Sequence, residues 1–339
     1  MEHSRISVII PVYNAKATLE DAVRSCLGQT LPPREIILVD DGSDDGSAQL
    51  CDQIGQTEAS VKVLHIPPLG VSAARNRGLD EAAGDAVTFL DADDTMASGM
   101  LECLDAVLYR TGADYAGCGF GDAEQTGSGE DTVSEFAGSD IILQRILRHD
   151  TSVWGKLYRR RFLGETRFRE GLTIGEDMLF VLSLLREDTV FAFTGRKLYR
   201  YTINPAGAME RPFVPSYMDQ ISCWQLARDT ALQNFPALAG NPEAQAGFSS
   251  VIAVSAVLTA SKIAKLGQQG RQYDSFFAQC RGTVRDELRL PGARQALPGD
   301  YKVKAVLLTR FPRLYRLLYV PHSAGSSNDR QRFRKDKRE

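Results

Sequence analysis

TFLDADDT (88–95) ends an apolar run in three carboxylates, Asp91, Asp93 and Asp94. On an extended segment, side chains at i and i+2 point the same way, so Asp91 and Asp93 can share one hard cation, Mg2+ or Mn2+, through oxygen ligands. A solvated acidic turn capping the next helix has the same composition, and a lone DxD does not choose between the two. DDGSDDGS (40–47) follows a second apolar run and offers Asp40 and Asp41 as acceptors for a base N–H. It also suits a turn with a helix N-cap. PVYN (11–14) brings Pro11 and Tyr13 to the end of a third run, where an aromatic ring stacks on a base or packs in a core. In GVSAARNRGLDEAAGD (70–85), Arg75 and Arg77 lie among small residues that let a helix pack closely under a ligand, although arginines on an exposed helix face are commonly just solvated.

The elements that must position these residues follow from the apolar patterns. ISVIIPV (6–12), EIILV (35–39), VKVLHI (61–66) and DAVTFL (85–90) are short β-branched runs, expected as strands covered on both faces in a parallel sheet. Between them, 15–29 and 98–110 carry apolar residues at helical spacing, so the chain reads as βαβ units and a doubly wound α/β fold. Ligands in such sheets bind outside the carboxyl ends of the strands, which is where the polar clusters fall. Past about 215 the pattern turns helical, over 216–234, 244–266, 272–288 and 302–318, with Pro312 expected to kink or split the last helix. The expected organisation is a catalytic domain over 1–212, a helical module over 213–320 and a basic, disordered tail over 321–339.

With 339 residues, 43% hydrophobic and 24% charged, the chain can bury a proper core in two domains. It has neither an uninterrupted apolar stretch of about 18 residues nor a signal-peptide pattern, which leads to the expectation of a cytoplasmic protein. Six cysteines without metal-ligand spacing read as buried, reduced thiols. The net charge is −3, yet from Tyr301 onward Lys and Arg far outnumber Asp and Glu. In 302–318, Val303, Val306, Leu307, Phe311, Leu314 and Leu318 are expected on one side and Arg310, Arg313 and Arg316 on another. Such a segment either docks peripherally on an anionic membrane at the inner face of the cell, or packs on the α/β domain with a solvated basic face. A nucleic-acid partner is not expected, because no aromatic residues interleave the basic surface.

SVIIPVYN (7–14), ILVDDGSDDGS (37–47), GVSAARNRGL (70–79), GDAVTFLDADD (84–94), WGKLYRRRFL (154–163) and IGEDMLF (174–180), in this order and spacing, resemble a family 2 glycosyltransferase of the bacterial polysaccharide type, with a GT-A-type fold, over roughly residues 6–205. The resemblance implies a metal-dependent, hexosyltransferase-type enzyme that moves a sugar from a nucleotide donor, usually a UDP-sugar, to a hydroxyl of a glycan or lipid-linked acceptor with inversion. It places Pro11 and Tyr13 at the base pocket, Asp41 with Asp40 at the uracil edge and Arg75 near the nucleotide. Asp93 would then bind the metal, Asp91 would lie at the ribose or metal, and Asp177 of the Glu176-Asp177 pair would be the general base. By itself Glu176-Asp177 reads as N-terminal capping of a helix with Leu179, Leu182 and Leu185 on its apolar stripe; the helix dipole should help keep Asp177 ionised. Trp154, Lys156 and Tyr158 border either the donor sugar or acceptor site, or the core. No QxxRW motif and no membrane spans appear, so one sugar per encounter is expected rather than processive synthesis. Two rivals remain: a haloacid-dehalogenase-like phosphohydrolase using Asp91 and Asp93 of DADDT, and a non-catalytic scaffold relative.

Overall fold

The β-branched apolar runs become strands of one sheet, which removes the side chains of 6–12, 36–41 and 86–89 from water and leaves 61–66 half-exposed. The computed structural model describes residues 3–122, 124–202 and 211–319. They form two compact units, 3–141 with 151–202 and 142–150 with 211–319. The expected basic tail at 321–339 lies outside the described residues.

The first unit is built on a nine-stranded sheet: β1 (Ile6–Val12), β2 (Glu35–Asp41), β3 (Val61–Ile66), β4 (Ala86–Phe89), β5 (Thr95–Met96), β6 (Tyr115–Gly121), β7 (Val133–Ala137), β8 (Lys156–Arg159) and β9 (Val190–Arg200). The order is β3-β2-β1-β4-β8-β6-β9-β5, with β7 also paired to β9. β1 to β4 are mutually parallel, and β6 and β9 run with them; β5, β7 and β8 run against. The doubly wound, mostly parallel sheet is therefore present, with antiparallel strands inserted in its second half. Every residue of β1 is buried, and Ile9 pairs with Ile37 on one side and Phe89 on the other.

The helices of this unit are α1 (Leu19–Leu27), α2 (Ser47–Thr57), α3 (Val71–Glu81) and α4 (Met100–Thr111), the first half of the short α5 (Ser139–Gln144), α6 (Arg160–Leu163) and α7 (Glu176–Leu184). α3 lies close on the sheet because its inner face is Ser72, Ala73, Ala74 and Gly78, and a Cβ on Gly78 would collide with the Ile9 side chain. Two arginines of WGKLYRRRFL serve the fold, Arg160 by donating to Ala82 O at 3.3 Å. Arg159 donates to the carbonyls of Leu108 and Ala113, both at 2.7 Å, at the C-terminal end of α4, where a cation satisfies orphan carbonyls and the helix dipole.

The second unit packs α8 (Asp219–Asn234), α10 (Asp274–Glu287), α11 (Ala293–Ala296), α12 (Gly299–Arg310) and α13 (Pro312–Tyr319) around α9 (Pro242–Lys265). α9 is long and apolar enough to cross a membrane by composition, but 83% of that stretch is buried inside the protein. Residues 142–150 depart from the expected linear division: they belong to this unit, where Gly247 of α9 leaves room for Leu147. The expected helix over 302–318 splits at Phe311, with Pro312 in the first turn of α13, where a missing N–H costs nothing. None of the six cysteines is in a disulfide, and five of them are buried.

Candidate functional site

The strand order 3-2-1-4 changes direction between β1 and β4, and the crevice outside their carboxyl ends is where a ligand fits such a sheet. Pro11 is buried in β1, and Tyr13, just beyond it, is 56% exposed. Asn14 follows in the left-handed region (φ 49°) and is tied to the loop after β2: its N–H donates to Ser43 Oγ at 3.1 Å and its Nδ2 to Asp44 Oδ1 at 2.8 Å. Asp40 and Asp41 end β2, both buried. Asp40 meets His65 Nδ1 at 3.0 Å and accepts the Ser43 N–H at 3.2 Å. Asp41 accepts the N–H groups of Leu69 at 2.8 Å and Gly70 at 2.9 Å, so it anchors the loop that leads into α3. Burial pushes the Asp41 carboxyl up, and those two amides offset part of the rise. Gly42, at φ 70° against Pro68, allows the tight exit from β2.

One turn into α3, Arg75 is only 3% exposed. Its Nη1 donates to Asp177 Oδ1 at 2.6 Å and to Glu176 Oε1 at 3.2 Å, and its Nη2 to Asp91 Oδ1 at 3.0 Å. A single cation thus joins the aspartate after β4 to the acidic pair that opens α7. Its Nε is left without an acceptor, and its guanidinium carbon lies 5.3 Å from the centre of the Phe168 ring. Burial opposes the charge on Arg75, but Asp177, Asp91 and Glu176 together raise its pKa, so it stays protonated. Sequence reasoning sets Arg75 near the nucleotide; all its hydrogen-bond acceptors are carboxylates of this chain. For Glu176 and Asp177, burial pushes the carboxyls up and Arg75 offsets only part of that. Burial thus works against the helix dipole expected to help keep Asp177 ionised. Asp177 Oδ2 also accepts the Val153 N–H at 3.3 Å.

DADD is not the extended segment expected. β4 ends at Phe89, and the Asp94 N–H donates to the Asp91 carbonyl at 3.0 Å, closing a turn. That turn sends Asp94 inward, 1% exposed, where its carboxylate accepts the Tyr199 hydroxyl and the Thr202 N–H, both at 2.7 Å. Burial raises the Asp94 carboxyl to about 7. Asp91 and Asp93 stay half-buried at the surface of the turn. Tyr199, which also takes the Asp91 N–H at 3.4 Å, gave no sign in the sequence beyond an aromatic in the run LYRY. Trp154 stacks on Tyr199 at 4.4 Å, but Lys156 and Tyr158 are buried, Lys156 donating to Ser152 O at 2.7 Å and Tyr158 stacked on Tyr115 at 5.5 Å. Those two belong to the core.

No group of three or more metal-ligating side chains occurs among the described residues. Asp91 and Asp93 nevertheless fit a hard cation in kind, since Mg2+ is commonly held by one or two carboxylates and completes its shell with phosphate oxygens and water.

A family model described as glycosyl transferase family 2 matches residues 7–174. The uncharacterized glycosyltransferase EpsJ of Bacillus subtilis is 32% identical over 248 residues, covering 69% of this chain and 71% of that protein. Among solved structures, S. aureus TarS in complex with UDP-GlcNAc superposes with a TM-score of 0.67 at 18% identity, covering 96% of this chain and 95% of that one. The Pyrobaculum calidifontis mannosyltransferase PcManGT, in complex with GDP-Man and Mn2+, gives 0.55 at 15% identity, covering 92% and 89%. These two likenesses show the GT-A-type fold. The phosphohydrolase reading of DADDT is overturned by the sequence match and by the position of the motif after a fourth strand. Identity of this degree over more than two thirds of both chains is the mark of common descent, and the chain belongs to glycosyl transferase family 2.

Proposed function

We propose that this glycosyltransferase moves one sugar per encounter from a UDP-sugar to a hydroxyl of a glycan or lipid-linked acceptor, with inversion, in cell-surface polysaccharide synthesis on the cytoplasmic side of the membrane. The observation that carries this reading is the buried Arg75, which ties Asp91 to Glu176 and Asp177. Inverting transfer needs a leaving-group site and a base on opposite faces of one sugar, held in fixed relation, and a shared guanidinium provides such a fixture.

In this mechanism Asp177 takes the proton of the acceptor hydroxyl as its oxygen bonds to the anomeric carbon, while the bond from that carbon to the diphosphate oxygen breaks with its electron pair leaving on the nucleotide. Glu176 shares the guanidinium and adds negative charge beside the base. Asp91 and Asp93 would hold Mn2+ or Mg2+, which supplies neutralisation of the departing diphosphate. Pro11 and Tyr13 line the base pocket; Asp40 and Asp41 shape it, fixed in turn by His65 and by the amides of Leu69 and Gly70. Arg75 acts as a positioning residue beneath the reacting groups.

The test is Asp177→Asn. It keeps the side-chain shape and one of the two contacts, to Arg75 or to Val153, but cannot accept the proton, so UDP binding should persist while acceptor-dependent UDP release falls by at least about a hundredfold. Undiminished turnover in that variant would remove Asp177 from the base role.

A further inference from the structure

The last two helices of the second unit are apolar on both sides. Tyr301, Ala305 and Leu308 of α12 and Tyr315 of α13 are buried. Val303, Val306, Phe311, Leu314, Leu317 and Leu318, in contrast, are 45–65% exposed. At about 100° per residue, Val303 and Val306 stand opposite Ala305 and Leu308, and Leu314, Leu317 and Leu318 share one exposed face of α13. A helix that merely packs on its own unit buries its apolar stripe and leaves the polar side to water; here the stripe expected to be buried is the one in solvent. Arg310 and Arg313 are exposed beside it, as is Lys302. Arg316 is turned the other way, paired with Asp274 at 2.5 Å and lying 4.1 Å from the centre of the Phe277 ring.

We propose that this face of α12 and α13 docks on an anionic lipid bilayer, with Phe311, Leu314, Leu317 and Leu318 entering the boundary between headgroups and acyl chains, and Lys302, Arg310 and Arg313 meeting headgroup phosphates. Charge complementarity selects this occupant. A second copy of the chain placed on the same strip sets Arg310 and Arg313 against their own equivalents. Residues 320–339 are net basic and contain only Val320 and Phe333 as large apolar side chains, too few to cover the strip. An interfacial helix of this kind combines apolar burial with attraction to anionic lipid. The inference does not depend on the transfer chemistry.

The test is co-sedimentation of the full chain with vesicles of phosphatidylcholine alone and with about one third phosphatidylglycerol, at low and high salt. Binding is expected to the anionic vesicles and to weaken with salt. Leu317→Asp with Leu318→Asp should weaken it by at least about tenfold. Because both leucines are exposed, the melting temperature should hold. Arg310→Ala with Arg313→Ala should lower binding and its salt dependence together. Failure to bind anionic vesicles, or binding that neither double variant weakens, overturns the proposal. So does a concentration-dependent dimer that the leucine variants dissolve, since that would assign the strip to a second copy.

Discussion

Replacing Arg75 by methionine removes the one cation that three carboxylates share at 2.6, 3.0 and 3.2 Å. The variant keeps much of the side-chain volume, so the change is chiefly electrostatic. Breaking a buried ion pair by deleting one partner costs about 3–5 kcal/mol, because the remaining charges stay desolvated. At about 2–4 °C per kcal/mol, the melting temperature at pH 8 should fall by on the order of 10 °C. The carboxyls of Glu176 and Asp177 are already pushed up by burial, and the loss of Arg75 raises them further. With folded-state pKa values raised, the folded protein holds protons that the unfolded chain releases, so the variant should recover part of its stability as pH falls from 8 to 6. The same rise should move the acid limb of slow donor hydrolysis upward by at least about one pH unit. Arg75→Lys restores the charge but not the fork that reaches both sides, and should fall between the two. Melting curves across pH and UDP release from a turned-over UDP-sugar are the assays. A penalty that is the same at pH 6 and pH 8, together with an unmoved acid limb, would refute the reasoning.

His65 bridges Asp40 at 3.0 Å and Asp52 at 3.1 Å, and these hydrogen bonds raise its pKa. Its contribution to stability is therefore complete below about 6.5 and is lost as pH rises through the folded-state value. His65→Gln should flatten that part of the pH–stability curve by less than about 1 kcal/mol, since the ring is partly exposed, and an unchanged slope in thermal melts would contradict the assignment. Tyr158→Phe, which removes the bond from its hydroxyl to Val153 O at 3.3 Å, should cost about 1 kcal/mol in denaturant melts and leave substrate affinity alone. A large change in KM would return Tyr158 to the substrate site.

The first half of the sheet was legible because β1, β2 and β4 are buried almost throughout and their apolar runs are unbroken, while the half-exposed edge strand β3 still carries β-branched residues. The second half was not. β8 lies inside a motif dominated by arginines, β7 is half-exposed with no apolar run, and their antiparallel insertion depends on pairings that local pattern does not carry. The acidic residues of the candidate site were visible one by one, but their assembly was not, because Arg75 finds its partners 16, 101 and 102 residues away. The same distance hid Tyr199, whose partner Asp94 is 105 residues earlier. Spacing set Asp94 apart from the Asp91 and Asp93 pair but gave it no place; the backbone turn, which composition does not encode, sends it to the interior.

Calorimetric titration of UDP into the protein, with Mn2+ and then with a chelator, addresses the proposed donor site most directly when repeated on Asp91→Asn and Asp93→Asn. The expected result is that chelation weakens UDP binding by at least about tenfold and that each variant loses the Mn2+-dependent part while remaining folded. Equal affinity with and without the cation, in the wild type and in both variants alike, would contradict a diphosphate site built on these two carboxylates.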